Sequence, residues 1–243
     1  MKTVVIIGAS GGIGNEICKA FYKKGYNIFA SYCNNKKAID ALCGNLNYKD
    51  NRICQFYLNL KDQLSIDKFF NKAISIFGKI DVLINCAGVS FPNLLIDCNL
   101  NEIENEIDIN LKSVILCCKH AVTNMIKFSG GKIINIGSIW GTVGGSFEST
   151  YSATKAGVII FSKALAKEVG SSNITVNCIS PGAIKTNMIS NLTKEDVQDI
   201  IKNTPLKKLP TAKQIAKTAI FLASNNANSI TGQNIVIDGG FTL

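Results

Sequence analysis

One histidine, His120, and one arginine, Arg52, are all that 243 residues hold of those two types. Nine cysteines are present, but none form a CxxC pair, their number is odd, and they are scattered from Cys18 to Cys178. With a single histidine beside them they make neither a zinc ligand set nor a disulfide framework, so reduced thiols acting as small buried hydrophobes are expected. No apolar run reaches the roughly 18 residues that a membrane span requires. Met1 leads straight into "TVVII" with no signal-peptide cleavage pattern, which predicts a cytoplasmic protein. Acids are scarce as well: 17 Asp and Glu against 26 Lys and Arg leave a formal charge of +9. The lysines are dispersed rather than gathered in a basic block, so the charge does not point to nucleic acid. Internal repeats and low-complexity linkers are also missing.

What is present is alternation. Apolar, β-rich runs at Thr3 to Ile7, Asn27 to Tyr32, Ile53 to Leu58, Val82 to Asn85, Lys132 to Ser138, Thr175 to Ser180 and Asn234 to Asp238 predict seven strands. Helical patterns separate them at Ile13 to Lys24, Ala38 to Cys43, Ser65 to Phe77, about Asn101 to Phe128, Tyr151 to Val169 and Lys213 to Ala223. Near-continuous apolar strands covered on both faces specify an α/β fold: a single doubly wound, Rossmann-type domain with a seven-stranded parallel sheet. The longest stretch without a strand, about 183–212, carries "TKEDVQDIIK" and is expected to be a lid over a substrate.

In such a sheet ligands lie beyond the carboxyl ends of the strands. The first strand runs into "GASGGIG", with Gly8, Gly12 and Gly14 ahead of an amphipathic helix. Glycines let the backbone turn tightly against a ligand, and the helix start offers free N–H groups to a pyrophosphate. The second strand ends in "SYCNNKK", with no carboxylate before Asp40. An acid there would hold a ribose 2′-hydroxyl, whereas Asn34, Asn35, Lys36 and Lys37 suit a 2′-phosphate, so NADP(H) is expected, with NAD(H) as the alternative. Small residues in "NCAG", Asn85 to Gly88, and the turn "PGAIKT", Pro181 to Thr186, follow the fourth and sixth strands at the same edge.

Tyr151 and Lys155, in "YSATK", stand at i and i+4 and share one side of a helix. Lowering a phenol from its usual ~10 by about two units takes roughly 2.7 kcal/mol. An ammonium about 4 to 5 Å away at an effective dielectric near 20 supplies roughly 3 to 4 kcal/mol. The pair is therefore expected to make a proton donor for a carbonyl oxygen, with the Ser138 hydroxyl polarising that oxygen and a nicotinamide as the hydride source.

Gly8-x-x-x-Gly12-Ile13-Gly14, Asn85-Cys86-Ala87-Gly88, Asn110, Ser138, Tyr151-x-x-x-Lys155 and Pro181-Gly182 together resemble the classical short-chain dehydrogenase/reductase family over essentially the whole chain. The resemblance implies a catalytic set of Asn110, Ser138, Tyr151 and Lys155, with Asn110 holding a water in the proton relay. It implies cofactor contacts at Gly8, Ser10, Gly12, Ile13, Gly14, Asn34, Lys36, Asn59, Leu60, Asn85, Ala87, Gly88, Tyr151, Lys155, Pro181, Gly182, Ile184 and Thr186. Within the family, "INIGSIWG", "YSATKAGVIIFSKALAKEV" and "ITGQNIVIDGG" look most like 3-oxoacyl-acyl-carrier-protein reductases of fatty acid biosynthesis, which implies a homotetramer and acyl carrier protein as partner. The chain departs from that pattern at Cys86, at Asn59 where an Asp often contacts adenine, and at Ser129 and Ser172 where carrier-protein reductases place basic residues.

Trp140 and Glu148 lie between Ser138 and Tyr151, in the segment expected on the substrate side. A carboxylate there favours a cationic or hydrogen-bonding substrate. "SIWG" followed by "GSFESTY" resembles the branch of reductases acting on a 5-aminopentanone group carried by a lysine of elongation factor P. A dinucleotide-binding sensor without turnover is a further alternative, against which the presence of both Tyr151 and Lys155 counts.

Overall fold

The computed structural model describes residues 1–46, 52–184 and 193–243. Seven strands among them, β1 (Thr3–Ile7), β2 (Asn27–Tyr32), β3 (Ile53–Tyr57), β4 (Val82–Asn85), β5 (Gly131–Ile136), β6 (Ile174–Pro181) and β7 (Asn234–Ile237), form one sheet in the order β3-β2-β1-β4-β5-β6-β7. Every neighbouring pair is parallel. The chain reverses direction across the sheet between β1 and β4, and the crevice at that point is where such a fold receives a ligand.

Alternating side chains feed two apolar layers, one on each face. From β1, Val4 and Ile6 join Ile17 and Phe21 of α1 (Gly12–Lys23) and Ile215 and Ala219 of α9 (Ala212–Leu222). Val5 and Ile7 join Phe69 and Phe70 of α3 (Gln63–Phe77), Cys117 and Met125 of α5 (Ser113–Lys127), and Val158 of α7 (Ser149–Val169). Burial on both faces accounts for strands that read as unbroken apolar runs. Cys18, Cys43, Cys117, Cys118 and Cys178 are buried free thiols in these layers, while Cys33 is exposed. His120 stacks on Phe70 and pairs through Nε2 with Asp67 at 2.9 Å.

Several boundaries differ from the sequence expectation. The helix α2 (Lys36–Asn45) starts two residues early because the Asn35 side chain accepts the Ala38 N–H and caps it. The strand β5 stops at Ile136, leaving Gly137 and Ser138 beyond the sheet. The long pattern from Asn101 to Phe128 is three pieces: α4 (Leu100–Ile107), a π turn at Asp108–Lys112, and α5. A one-turn helix, α6 (Trp140–Val143), was not expected from the pattern. Within the expected lid, α8 (Lys194–Asn203) begins with a Thr193–Asp196 capping box. No helix among the described residues is long and apolar enough to cross a membrane.

Candidate active site

The β1 to α1 turn is built for close approach. Gly8 has φ +83°, and a Cβ there would sit 2.6 Å from the Ala87 nitrogen; a Cβ on Gly14 would collide with the Gly8 carbonyl oxygen. Both positions therefore require glycine. The Gly8 N–H donates to Ser31 Oγ at 2.8 Å, a contact from β2 that the sequence did not single out. Ser10 lies in the turn; Ile13, in the first turn of α1, packs on the core. Gly12 begins the helix, whose N-terminus has no side-chain cap, so its leading N–H groups are open to a ligand.

At the end of β2, Lys36 pairs with Asp40 at 2.9 Å, one helical turn on, and Gln55 donates to the same carboxylate at 2.7 Å. The carboxylate that was absent from the strand end thus returns beside the lysine through the geometry of α2. Asn34 Oδ1 accepts from the Cys33 thiol. Asn59 Oδ1 accepts the Lys61 N–H at 3.1 Å, so one of its lone pairs is already used in a local turn, and neighbouring Leu60 packs against the core.

Beyond β4, Ala87 and Gly88 border the catalytic groups. A Cβ on Gly88 would lie 3.2 Å from Asn110 Oδ1 and 3.3 Å from Lys155 Nζ. Asn110 is fully buried in the π turn, where Oδ1 accepts the Val89 N–H at 2.9 Å and Nδ2 donates to the Val89 carbonyl at 2.8 Å. Its side chain therefore clamps the loop after β4, and Thr154 Oγ1 accepts from Nδ2 at 3.3 Å. Asn85 donates to Asn135 Oδ1 at 2.8 Å inside the sheet and is not on the cleft surface.

Tyr151 and Lys155 are both buried, and Lys155 Nζ lies 5.6 Å from the Tyr151 ring centroid. The ammonium donates to the Ile136 carbonyl at 3.0 Å, which ties α7 to the end of β5. Ser138 Oγ accepts the Trp140 N–H at 3.2 Å and lies near enough to the Tyr151 phenol to favour its ionised form. The electrostatics differ from the two-charge argument. Burial pushes the Tyr151 phenol up to about 12; the Ser138 hydroxyl opposes this, and the Glu148 and Glu106 carboxylates add to it. Burial lowers Lys155. With the protein's own groups, desolvation outweighs the lowering by Ser138, and the phenol holds its proton rather than losing it readily.

Glu106 is a residue that the sequence reading missed. It is buried, accepts the Phe91 N–H at 2.8 Å, and lines a pocket with Glu148, Phe91, Phe147 and Tyr151. It stands four residues before Asn110, a spacing that reads as an ordinary surface turn until the π turn is known. Glu148, one residue before α7, accepts from Ser90 Oγ at 2.6 Å, and burial raises its carboxyl. Trp140 lies elsewhere: its ring meets Phe241 at 6.2 Å in an edge contact and covers Gly145, and it does not line the Tyr151 pocket.

Pro181 ends β6, its carbonyl accepts the Ile139 N–H at 3.1 Å, and the Gly182 N–H donates to Ile237 at 3.0 Å. Ile184 is buried in the core. Thr186 lies outside the described residues.

A family profile described as Enoyl-(Acyl carrier protein) reductase matches residues 8–242. The chain belongs to the short-chain dehydrogenase/reductase family. It is an NAD(P)-dependent short-chain oxidoreductase. Among its curated relatives in this family are the "3-oxoacyl-[acyl-carrier-protein] reductase FabG" of Staphylococcus aureus, 36% identical over 100% of this chain and 98% of the relative, and that of Buchnera aphidicola, 38% identical with the same coverage. A crystal structure titled short-chain dehydrogenase/reductase SDR, glucose/ribitol dehydrogenase, from Brucella melitensis superposes with a TM-score of 0.93 at 29% identity, covering 100% of this chain and 97% of that one. The tight turn that Gly8 and Gly14 permit, and the absence of a side chain at Gly88 beside Asn110 and Lys155, fit the nicotinamide dinucleotide that this family uses.

Proposed function

We propose that the chain is an NADPH-dependent carbonyl reductase that converts 3-oxoacyl groups on acyl carrier protein to 3-hydroxyacyl groups. The observation that carries this reading is the meeting of Ser138, Tyr151 and Lys155 beside the Gly88 loop, in a chain whose full-length relatives bear that reductase name. When bound, the nicotinamide supplies the hydride. Tyr151, kept neutral by burial, is the proton donor to the carbonyl oxygen; Ser138 orients the phenol and polarises that oxygen. Lys155, fixed by the Ile136 carbonyl, provides the positive charge near the phenol and would hold the ribose of a bound cofactor. Asn110 holds the loop carrying Gly88 against them and is available to position a water.

The preference for NADPH rests on a strand end without an acid, moderated by the Lys36–Asp40 pair; Asn34 and Lys37 are the remaining polar groups there. The region about 183–212 is the lid in this reading; residues 185–192 of it lie outside the described residues, and α8 is in the described part, while outward apolar side chains such as Ile107, Ile115 and Ile160 are the surface on which a homotetramer would form.

A second reading, an aminoketone carried on a protein lysine, is favoured by one observation: two carboxylates, Glu106 and Glu148, in the pocket beside Tyr151. The deciding experiment follows nicotinamide absorbance with acetoacetyl thioester and with an aminoketone, each with NADPH and NADH. Thioester turnover with NADPH, lowered by about 10²- to 10⁴-fold in Tyr151→Phe with nucleotide binding retained, is expected. Undiminished turnover in Tyr151→Phe overturns the mechanism. Turnover of the aminoketone alone, lost in Glu148→Gln, replaces the first substrate by the second.

A further inference from the structure

At the opposite end of the sheet from the glycine cradle, the N-terminal ends of β1, β4 and β5 border an open cavity of about 160 Å³. Three lysines line it, Lys2, Lys79 and Lys132, against one carboxylate, Asp81. That carboxylate is already committed: Oδ1 pairs with Lys79 at 3.1 Å and Oδ2 accepts the Thr3 N–H at 2.7 Å. Lys132 is half-buried, and among the described residues its ammonium bonds a neutral group, Asn228 Oδ1 at 2.8 Å. One of its three N–H donors is used there, and two remain for the cavity.

Burial lowers Lys132, and Lys2 adds to the lowering. The two ammonium groups are thus close enough to repel, with no free carboxylate between them. A cavity that keeps an excess of two positive charges in partly desolvated surroundings is stabilised by an anion that fills it.

We propose that this cavity is a binding site for a small phosphate-class anion, held by Lys2 and Lys132 with Lys79 at its rim. The site is separate from the cofactor crevice, because from Val82, which lines the cavity, to Ala87 in the crevice the chain runs five residues, roughly 16 Å of extended strand. A cavity of this size has room for a phosphate group. The same strands, β4 and β5, lead upward to Gly88 and Ser138, so an anion at their lower ends braces the strands that carry the catalytic loops.

The test titrates inorganic phosphate into the protein saturated with NADPH, which fills the upper crevice, and reads heat and melting temperature. Chloride at equal ionic strength serves as the control. Saturable binding and a rise in melting temperature beyond that in chloride are expected, with affinity about tenfold weaker in Lys132→Gln and weaker again in the Lys2→Gln, Lys132→Gln double variant. Circular dichroism and the melting temperature in chloride establish that the variants fold. Equal responses to phosphate and chloride, or undiminished phosphate binding in the double variant, overturn the proposal. So does capture of acyl carrier protein by this face without phosphate binding, which would make it a protein dock instead. None of these readouts depends on turnover, so the substrate reading above stands or falls independently.

Discussion

Tyr151 shows how far two charges on a helix can mislead. Its spacing from Lys155 correctly places both groups on one side, but the phenol's proton affinity is set by what buries it. Desolvation, then Glu148 and Glu106, push it up to about 12 against the lowering by the nearby Ser138 hydroxyl. Reduction needs the protonated phenol, so this direction of shift keeps the donor loaded through neutral and alkaline pH. Replacing Glu148 by Gln removes one of the raising charges. The pH profile of turnover should then show its alkaline decline moved to lower pH; a decline left in place would mean that Glu148 acts only on substrate. Glu106 was not legible in the sequence because nothing local separates a buried carboxylate from a surface one. Its partner, the Phe91 N–H, lies fifteen residues away. Trp140 misled in the other direction, since adjacency along the chain to Ser138 suggested a substrate contact and the fold turns the ring toward Phe241.

At the scale of elements, the π turn at Asp108–Lys112 is the feature that periodicity could not give. A 3.6-residue pattern continues through it, because one extra residue in a turn shifts the phase by less than the width of the apolar stripe. The reason for the turn is non-local: Asn110 satisfies both the N–H and the carbonyl of Val89, twenty-one residues earlier. Asn110→Ala would leave two part-buried backbone groups without this partner, at a cost of about 1 to 3 kcal/mol. Urea unfolding should read that loss, together with a drop in turnover as the Gly88 loop loosens. A variant of unchanged stability would show that the loop is held by other contacts. The cap at Thr193 with Asp196, by contrast, was local and readable, and it starts α8; Thr211 with Gln214 starts α9 one residue before the expected Lys213. Lys36 and Asp40 are also one turn apart, but their meeting depended on α2 beginning at Lys36 rather than Ala38, which the Asn35 cap decides.

For the whole molecule, the last strand closes the fold through Asp238. This carboxylate follows β7, is mostly buried, and accepts the Gly240 and Thr242 N–H groups and the Thr242 hydroxyl at 2.7 to 2.9 Å. Burial pushes it up, yet the three donors outweigh burial and hold it below the ordinary carboxylate range. A carboxylate lowered on folding stabilises the protein above its unfolded value near ~3.9 and ceases to do so as pH falls through the folded value. Asp238→Asn should therefore cost about 1 to 2 kcal/mol at neutral pH and flatten the acid limb of the stability profile. Thermal unfolding from pH 7 down to pH 3 tests this; parallel profiles for the two proteins would remove Asp238 from the acid transition. A Cβ on Gly182 would sit 2.7 Å from Asp238 Cβ, so the same closure positions the turn after β6.

The alternation of apolar strands with amphipathic helices was sufficient for the parallel, doubly wound sheet. Strands buried on both faces leave no polar alternation, and right-handed crossovers leave few other ways to arrange them. The glycine cradle and the i, i+4 pair were equally local, because each depends on residues within one turn of chain. Only the tertiary structure decided the rest: which carboxylates surround the phenol, which loop Asn110 clamps, and that three lysines from distant segments share one cavity. Those are distances between residues far apart in the chain, and they become fixed when the two apolar layers close on the sheet.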